Sequence, residues 1–188
     1  MDDLSTMLQE QKYQFLRGKY AELMQYRAAG DWASFIRTAL VVFELLPAAF
    51  EHYQEIPDSM KYDFAIQAYI HHGDSIPAVR KAVRQCRKYG RPELPKDLQG
   101  KEQITIYRAG EEPIEKSKYR ISWTTDRKIA DFFLNEYLNK HARYLYRGQI
   151  RAADIIAYVD DREEKEVLQY RKVFDIEDIT HTAQGGSQ

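Results

Sequence analysis

Gln103-Ile104-Thr105-Ile106-Tyr107-Arg108 alternates polar and apolar side chains with a period of two, the mark of a half-buried strand. It follows a stretch punctuated by Pro92, Pro95 and Gly100, which reads as a linker over residues 91–102. Upstream the period is that of a helix; downstream short β-favouring runs recur. The switch of period predicts an α+β chain. Residues 1–90 form a helical region of two helical hairpins, 103–180 a strand-rich core, and 181–188 a flexible tail.

In the helical region Leu4, Leu8, Tyr13, Leu16, Tyr20, Leu23 and Met24 recur near helical spacing, with no proline among them. Gly30-Asp31 reads as a stop followed by an N-cap, and a second helix, Trp32 to Phe43, carries Phe35, Ile36, Leu40 and Phe43. Pro47 and Pro57 punctuate the next stretch. Tyr62 to His71 and Ile76 to Tyr89 are the remaining helices, with Gly73-Asp74-Ser75 repeating the stop and cap between them. The two Gly-Asp turns lie 43 residues apart, and at that offset Arg37 matches Arg80, Ala39 matches Ala82 and Leu40 is answered by Val83. This is either a pair of solenoid-type hairpins or two unrelated hairpins sharing a common turn.

After the linker, Arg120 to Thr124, Ala142 to Ile150, Asp154 to Val159 and Glu166 to Phe174 read as strands, and Asp126 to His141 as a helix capped by Asp126. The 188 residues are 44% hydrophobic and 30% charged with a net charge of -1, which excludes a disordered or low-complexity chain. No apolar run approaches the roughly 20 residues of a membrane span. The acidic start is unlike a secretory signal, and Cys86, the single cysteine, excludes an internal disulfide or a cysteine zinc site. The expected setting is a reducing cytoplasm without membrane contact.

Three sites place polar groups where strands should be apolar. Arg108 falls on the same face as Ile104 and Ile106, so its guanidinium needs an anion or, at a strand end, an escape to solvent. Ser122 and Thr124 share a face on a strand that runs into a capped helix, as ordinary capping residues or as groups orienting another polar side chain. Asp160 to Glu163 reads as a solvated hairpin tip. Glu166 instead shares a face with Leu168 and Tyr170, with Glu164 two residues earlier on the same side, and a carboxylate there must be paired or functional.

In this order the sites resemble the mono-ADP-ribosyltransferase family of the arginine–serine–glutamate (cholera-toxin-like) type. Tyr107-Arg108, continued by Ala109-Gly110, is similar to the family's aromatic-Arg motif. Ser122-Trp123-Thr124 is similar to its Ser-x-Ser/Thr motif, with threonine where serine is common. Glu164-Lys165-Glu166 is similar to its Glu/Gln-x-Glu motif, and Asp154 to Tyr158 looks like its penultimate strand. The likeness covers roughly residues 100 to 175. It implies a split β-sandwich, NAD as substrate without a metal, and transfer of ADP-ribose to a protein or nucleic acid acceptor with release of nicotinamide. It also implies a bacterial or phage toxin or effector with a possible antitoxin or chaperone. The implied NAD-binding set is Tyr107, Arg108, Ala109, Gly110, Ser122, Trp123 and Thr124; the implied catalytic set is Glu166, Glu164, Arg108 and Ser122.

The chemistry suits these residue types. Breaking the ribose–nicotinamide bond passes through an oxocarbenium-like transition state, as in glycoside cleavage. Glu166 would stabilise that charge through the ribose 2′-hydroxyl, and Arg108 would anchor the diphosphate or ribose. Ser122, supported by Thr124, would fix the carboxylate rotamer, and Glu164 would orient or deprotonate the acceptor. His71 and His72 are adjacent, diverge by about 100° on a helix, and make a poor metal pair. Two other functions remain open: an inactive module that binds protein or RNA, and an NAD glycohydrolase with water as acceptor. Finally, Arg80, Lys81, Arg84, Arg87, Lys88 and Arg91 occur without an intervening acid. Arg80, Arg84, Arg87 and Arg91 follow helical spacing, as a solvated face or as a docking stripe for an acidic target or nucleic acid backbone.

Overall fold

A computed structural model describes residues 2–73, 75–137, 143–161 and 163–180. The chain divides into two compact units, residues 1–90 and 91–188. The proposed Asp74 cap, the helix end through His141, Arg162 in the charged loop and the tail from 181 lie outside the described residues.

The first unit is helical. Helix α1 spans Asp2–Ala29 and ends at Gly30, whose φ of +70° suits glycine; Asp31 then caps α2 (Trp32–Val41) by accepting the Ser34 N–H at 3.1 Å. Leu23 on α1 is fully buried, but Met7, Leu8, Tyr13, Phe15 and Tyr20 stay exposed, so the α1 periodicity does not describe one buried face. After a 3₁₀ turn at Phe43–Leu45 comes a short helix that the sequence reading lacked, α3 (Leu46–Glu51). Pro47 sits in its first turn, where a missing N–H costs nothing. Helix α4 (Asp58–His72) stacks Phe64 on Phe50, ring centres 4.7 Å apart, and α5 (Pro77–Cys86) buries Val79, Ala82, Val83 and Cys86. Lys61 is buried on α4, where its ammonium bonds the Asp58 carboxylate at 2.8 Å and the Gln54 carbonyl at 3.1 Å.

The two copies of the 43-residue echo share a buried alanine pair and differ in where the second helix starts. Ala39 and Ala82 are both buried, whereas α2 starts directly after its Gly-Asp pair and α5 waits until Pro77, with no side-chain cap from Ile76. Proline pre-set for a first helical turn fixes the later start. The last helix also ends at Cys86 rather than Tyr89.

The second unit is built on one six-stranded antiparallel sheet. Its strands are β1 (Gln103–Gly110), β2 (Ser122–Thr124), β3 (Tyr144–Arg151), β4 (Ile155–Val159), β5 (Glu166–Gln169) and β6 (Phe174–Asp178), in spatial order β4-β5-β2-β1-β3-β6. β1 pairs β3 through eight consecutive residues but meets β2 only at Tyr107↔Thr124, so two three-stranded halves join at one point. Among the described residues the unit also carries two short α-helices within its sheet connections, α6 (Ile114–Ser117), absent from the sequence reading, and α7 (Arg127–Phe132), capped as expected by Asp126. α7 widens into a π-type turn, Phe133–Tyr137.

The run read as one strand from Glu166 to Phe174 is two strands, and β5 and β6 fall on opposite sides of β1. Residues 170–173 between them form no strand, and the chain's pattern alone does not say that it crosses the sheet. The core gathers Leu98, Ile104, Ile106, Trp123, Tyr146, Ile150, Ile155, Val167 and Val173. Gly148 on β3 is needed for this packing: a Cβ there would lie 2.4 Å from Val173 Cγ1.

Candidate functional site

The residues singled out on β1, β2 and β5 meet where the sheet's two halves join. Register sets Tyr107, Thr124 and Glu166 side by side in one row across the three strands. Glu166 is buried, 5% exposed, and its Oε1 accepts the Ser122 hydroxyl. Arg108 reaches from the end of β1 to the Ser122 carbonyl, with Nη1 2.6 Å away. These residues line a cavity of about 210 Å³ with Ala109, Trp123, Ile129, Ala130, Phe133 and Glu164. A second depression, of about 340 Å³, shares Arg108 and Ala109 with it and adds Gly110, Glu111, Glu112, Ser117 and Arg120.

Arg108 lies on the face of Ile104 and Ile106, half-buried at its end, as alternation requires. Glu166 shares its face with Leu168, which is fully buried, as alternation along the strand requires. Its strand neighbour Val167 belongs to the core cluster, so Glu166 and Leu168 turn to the opposite face, that of Thr124 and Tyr107. β5 runs between β4 and β2 with all four residues buried, and a strand covered on both faces carries no alternation from which to read the core side. Tyr170 lies beyond the end of β5.

The loop before β5 is held by contacts the sequence did not announce. Glu163 and Lys165 have φ of +57° and +44°, a conformation costly for side chains of this kind, so the chain cranks on both sides of Glu164. The crank is clamped to the β2–α7 junction. Thr124 Oγ1 donates to the Glu164 carbonyl at 2.8 Å and accepts the Asp126 N–H at 3.0 Å, and the Thr125 N–H bonds the Lys165 carbonyl at 3.0 Å. Lys165 Nζ pairs with Asp126 at 2.8 Å, which holds that carboxyl below and that ammonium above their ordinary values. Thr124 therefore supports the site through the Glu164 backbone, while Ser122 holds the Glu166 carboxylate itself.

Arg120, Glu112, Trp123 and Tyr146 frame the site through hydrogen bonds to one another. Arg120 binds Glu112 with two hydrogen bonds, one of 2.6 Å from Nε, and this lowers the carboxyl pKa. The Trp123 indole donates to the Arg120 carbonyl at 3.0 Å, and the Tyr146 hydroxyl, its pKa pushed up to about 12 by burial, donates to the Glu112 carbonyl at 2.9 Å. Ile129, Ala130 and Phe133 form the apolar wall that the sequence reading left unassigned; the Phe132-Phe133 pair was the available signal, since Phe132 is exposed and Phe133 lines the cavity. Gly110 lines the second depression rather than the first.

The proposed arginine stripe does not run along a single helix. Arg80 and Arg84 lie on α5, Arg87 is its C-cap, and Arg91 belongs to the second unit. Among the described residues no group of three or more His, Cys, Asp or Glu is arranged to hold a metal ion, and no single helix is long and apolar enough to cross a membrane. His72 Nε2 lies 3.3 Å from the Leu40 carbonyl. Comparison with known proteins adds no family: no family model matches the chain, and no curated protein or solved structure matches it.

Proposed function

We propose that the second unit is an NAD-dependent ADP-ribosyltransferase of the arginine–serine–glutamate type, acting on a macromolecular acceptor in the manner of a bacterial or phage toxin or effector. The observation that carries this reading is the buried Glu166 carboxylate held by the Ser122 hydroxyl on a cavity wall that also bears Arg108. The single joint between the sheet's halves is consistent with a split sheet of that type.

The residues fit NAD. The first cavity offers an apolar wall of Tyr107, Ile129 and Phe133 for the nicotinamide end, with a carboxylate beside it. Arg108 stands where the two depressions adjoin, which suits a diphosphate lying between the two halves of the dinucleotide. In the reaction the bond from ribose C1′ to the nicotinamide nitrogen breaks, and nicotinamide leaves with the electron pair. Glu166, fixed in one rotamer by Ser122, bears its negative charge against the oxocarbenium-like centre. The acceptor's nucleophile forms the new bond to C1′, and Glu164, presented by the cranked loop, takes its proton.

Incubation with NAD labelled in the ADP-ribose moiety tests the reading. Label transfer to a lysate macromolecule, with equimolar nicotinamide release, is the expected result. Nicotinamide release with no label transferred, with or without lysate, replaces the transferase with an NAD glycohydrolase. Neither release nor NAD binding leaves a non-catalytic binding module.

A further inference from the structure

The sharpest segregation of charge lies in the helical unit, apart from the carboxylate site. Residues 1–90 hold eleven Lys and Arg against eleven Asp and Glu, yet five of those cations, Arg80, Lys81, Arg84, Arg87 and Lys88, fall within nine residues, and no acid occurs from Ser75 to Pro92. α5 buries Val79, Ala82, Val83 and Cys86, which occupy one side of the helix. At about 100° per residue the five cations gather on an arc of about 120° on the other side. The arc continues past the helix end, because Arg87 keeps a helical backbone and the Tyr89 N–H bonds the Cys86 carbonyl at 2.8 Å.

Four of the six other cations of this unit are paired locally: Lys12 with Glu44, Lys19 with Glu22, Arg27 with Glu55 and Lys61 with Asp58. Lys81, Arg84 and Lys88 are exposed and have no acidic partner among the described residues. Lys81, Arg84 and Lys88, held close together without an acidic partner, repel one another, and a polyanion relieves that cost while releasing its own condensed counterions. Tyr89, the neighbouring aromatic, already has the ammonium groups of Lys61 and Lys88 at 4.7 and 4.6 Å from its ring centre, so contact to phosphate is favoured over base stacking.

We infer that this face of α5 and its following turn binds the phosphodiester backbone of a nucleic acid without reading its sequence. The binding is independent of the NAD reading and belongs to the full chain whether or not the second unit transfers ADP-ribose.

Fluorescence anisotropy of the full chain with labelled single-stranded RNA and duplex DNA of mixed sequence, across about 50 to about 200 mM salt, tests it. The expected result is affinity for at least one probe that falls linearly in log salt and hardly differs between sequences. The triple substitution Lys81→Gln, Arg84→Gln, Lys88→Gln removes exposed side chains only; Arg80 is spared because its Nε is buried. With circular dichroism confirming its fold, the variant should bind at least about tenfold more weakly at about 100 mM salt, with a salt slope shallower by about two or more. No binding of either probe at low salt, or identical slopes for variant and wild type, overturns the inference. Polyglutamate binding as tightly as either probe at equal charge also overturns it, in favour of an acidic protein partner.

Discussion

Strand β1 has two flanks, and they differ. Toward β3 it pairs through eight consecutive residues; toward β2 it pairs only at Tyr107↔Thr124. The closed flank satisfies the backbone with its own ladder and packs tightly enough that Gly148 has no room for a methyl group beside Val173. On the open flank the ladder stops, and the space beside the joint is lined by Arg108, Ser122 and Glu166. The contrast teaches that the unit closes one side of a strand with ladder and core and leaves on the other a cavity lined with polar side chains.

The largest effect should come from the open flank. Glu166→Gln keeps the side chain's shape and removes its charge, so nicotinamide release should slow by about 100-fold or more while NAD affinity and the melting temperature barely move. Full activity in a folded Glu166→Gln protein would strip the open flank of its assigned chemistry. Glu164→Ala sharpens the same side. If Glu164 serves the acceptor, transfer should fall by about 100-fold with slow NAD hydrolysis persisting; equal loss of both would move Glu164 into NAD binding or folding.

The closed flank is tested by Gly148→Ala. The new methyl meets the fully buried Val173, and overpacking of this kind costs about 1–3 kcal/mol, read from urea unfolding. No loss of stability would mean that this flank has slack.

The smallest effect concerns pH. Arg120 depresses the Glu112 pKa in the folded chain, so their pairing stabilises the fold above the ordinary glutamate value of 4.5 and is lost as pH falls through the lower folded value. Both side chains are about a third exposed, so less than about 1 kcal/mol is at stake. Glu112→Gln should flatten the melting temperature's acid limb below pH 4.5; an unchanged limb would assign the acid sensitivity elsewhere, with the Asp126–Lys165 pair next in line.

Much of the unit's layout was legible because it rests on local periodicity. The switch from helical to alternating spacing near residue 100 marks the α+β character, and alternation along Gln103 to Arg108 puts the guanidinium on the apolar face. Arg108, Ser122 and Glu166 could be named because each breaks an apolar pattern. Glu166's place on the face of the buried Leu168 could be read, but not that Val167 on the other face is covered as well, since alternation does not announce a strand buried on both sides.

The one-dimensional pattern by itself therefore determined the order of a helical then a strand-rich region, the Gly30-Asp31 turn and the identity of the polar residues to watch. Tertiary structure alone decided that β5 and β6 part to opposite sides of β1 and that the sheet is joined at one residue pair. It likewise decided that Lys165 reaches Asp126 to clamp the cranked loop carrying Glu164. The physical reason is sequence separation: Ser122 and Glu166 are 44 residues apart, Asp126 and Lys165 are 39, and no local propensity encodes which distant strands will pair.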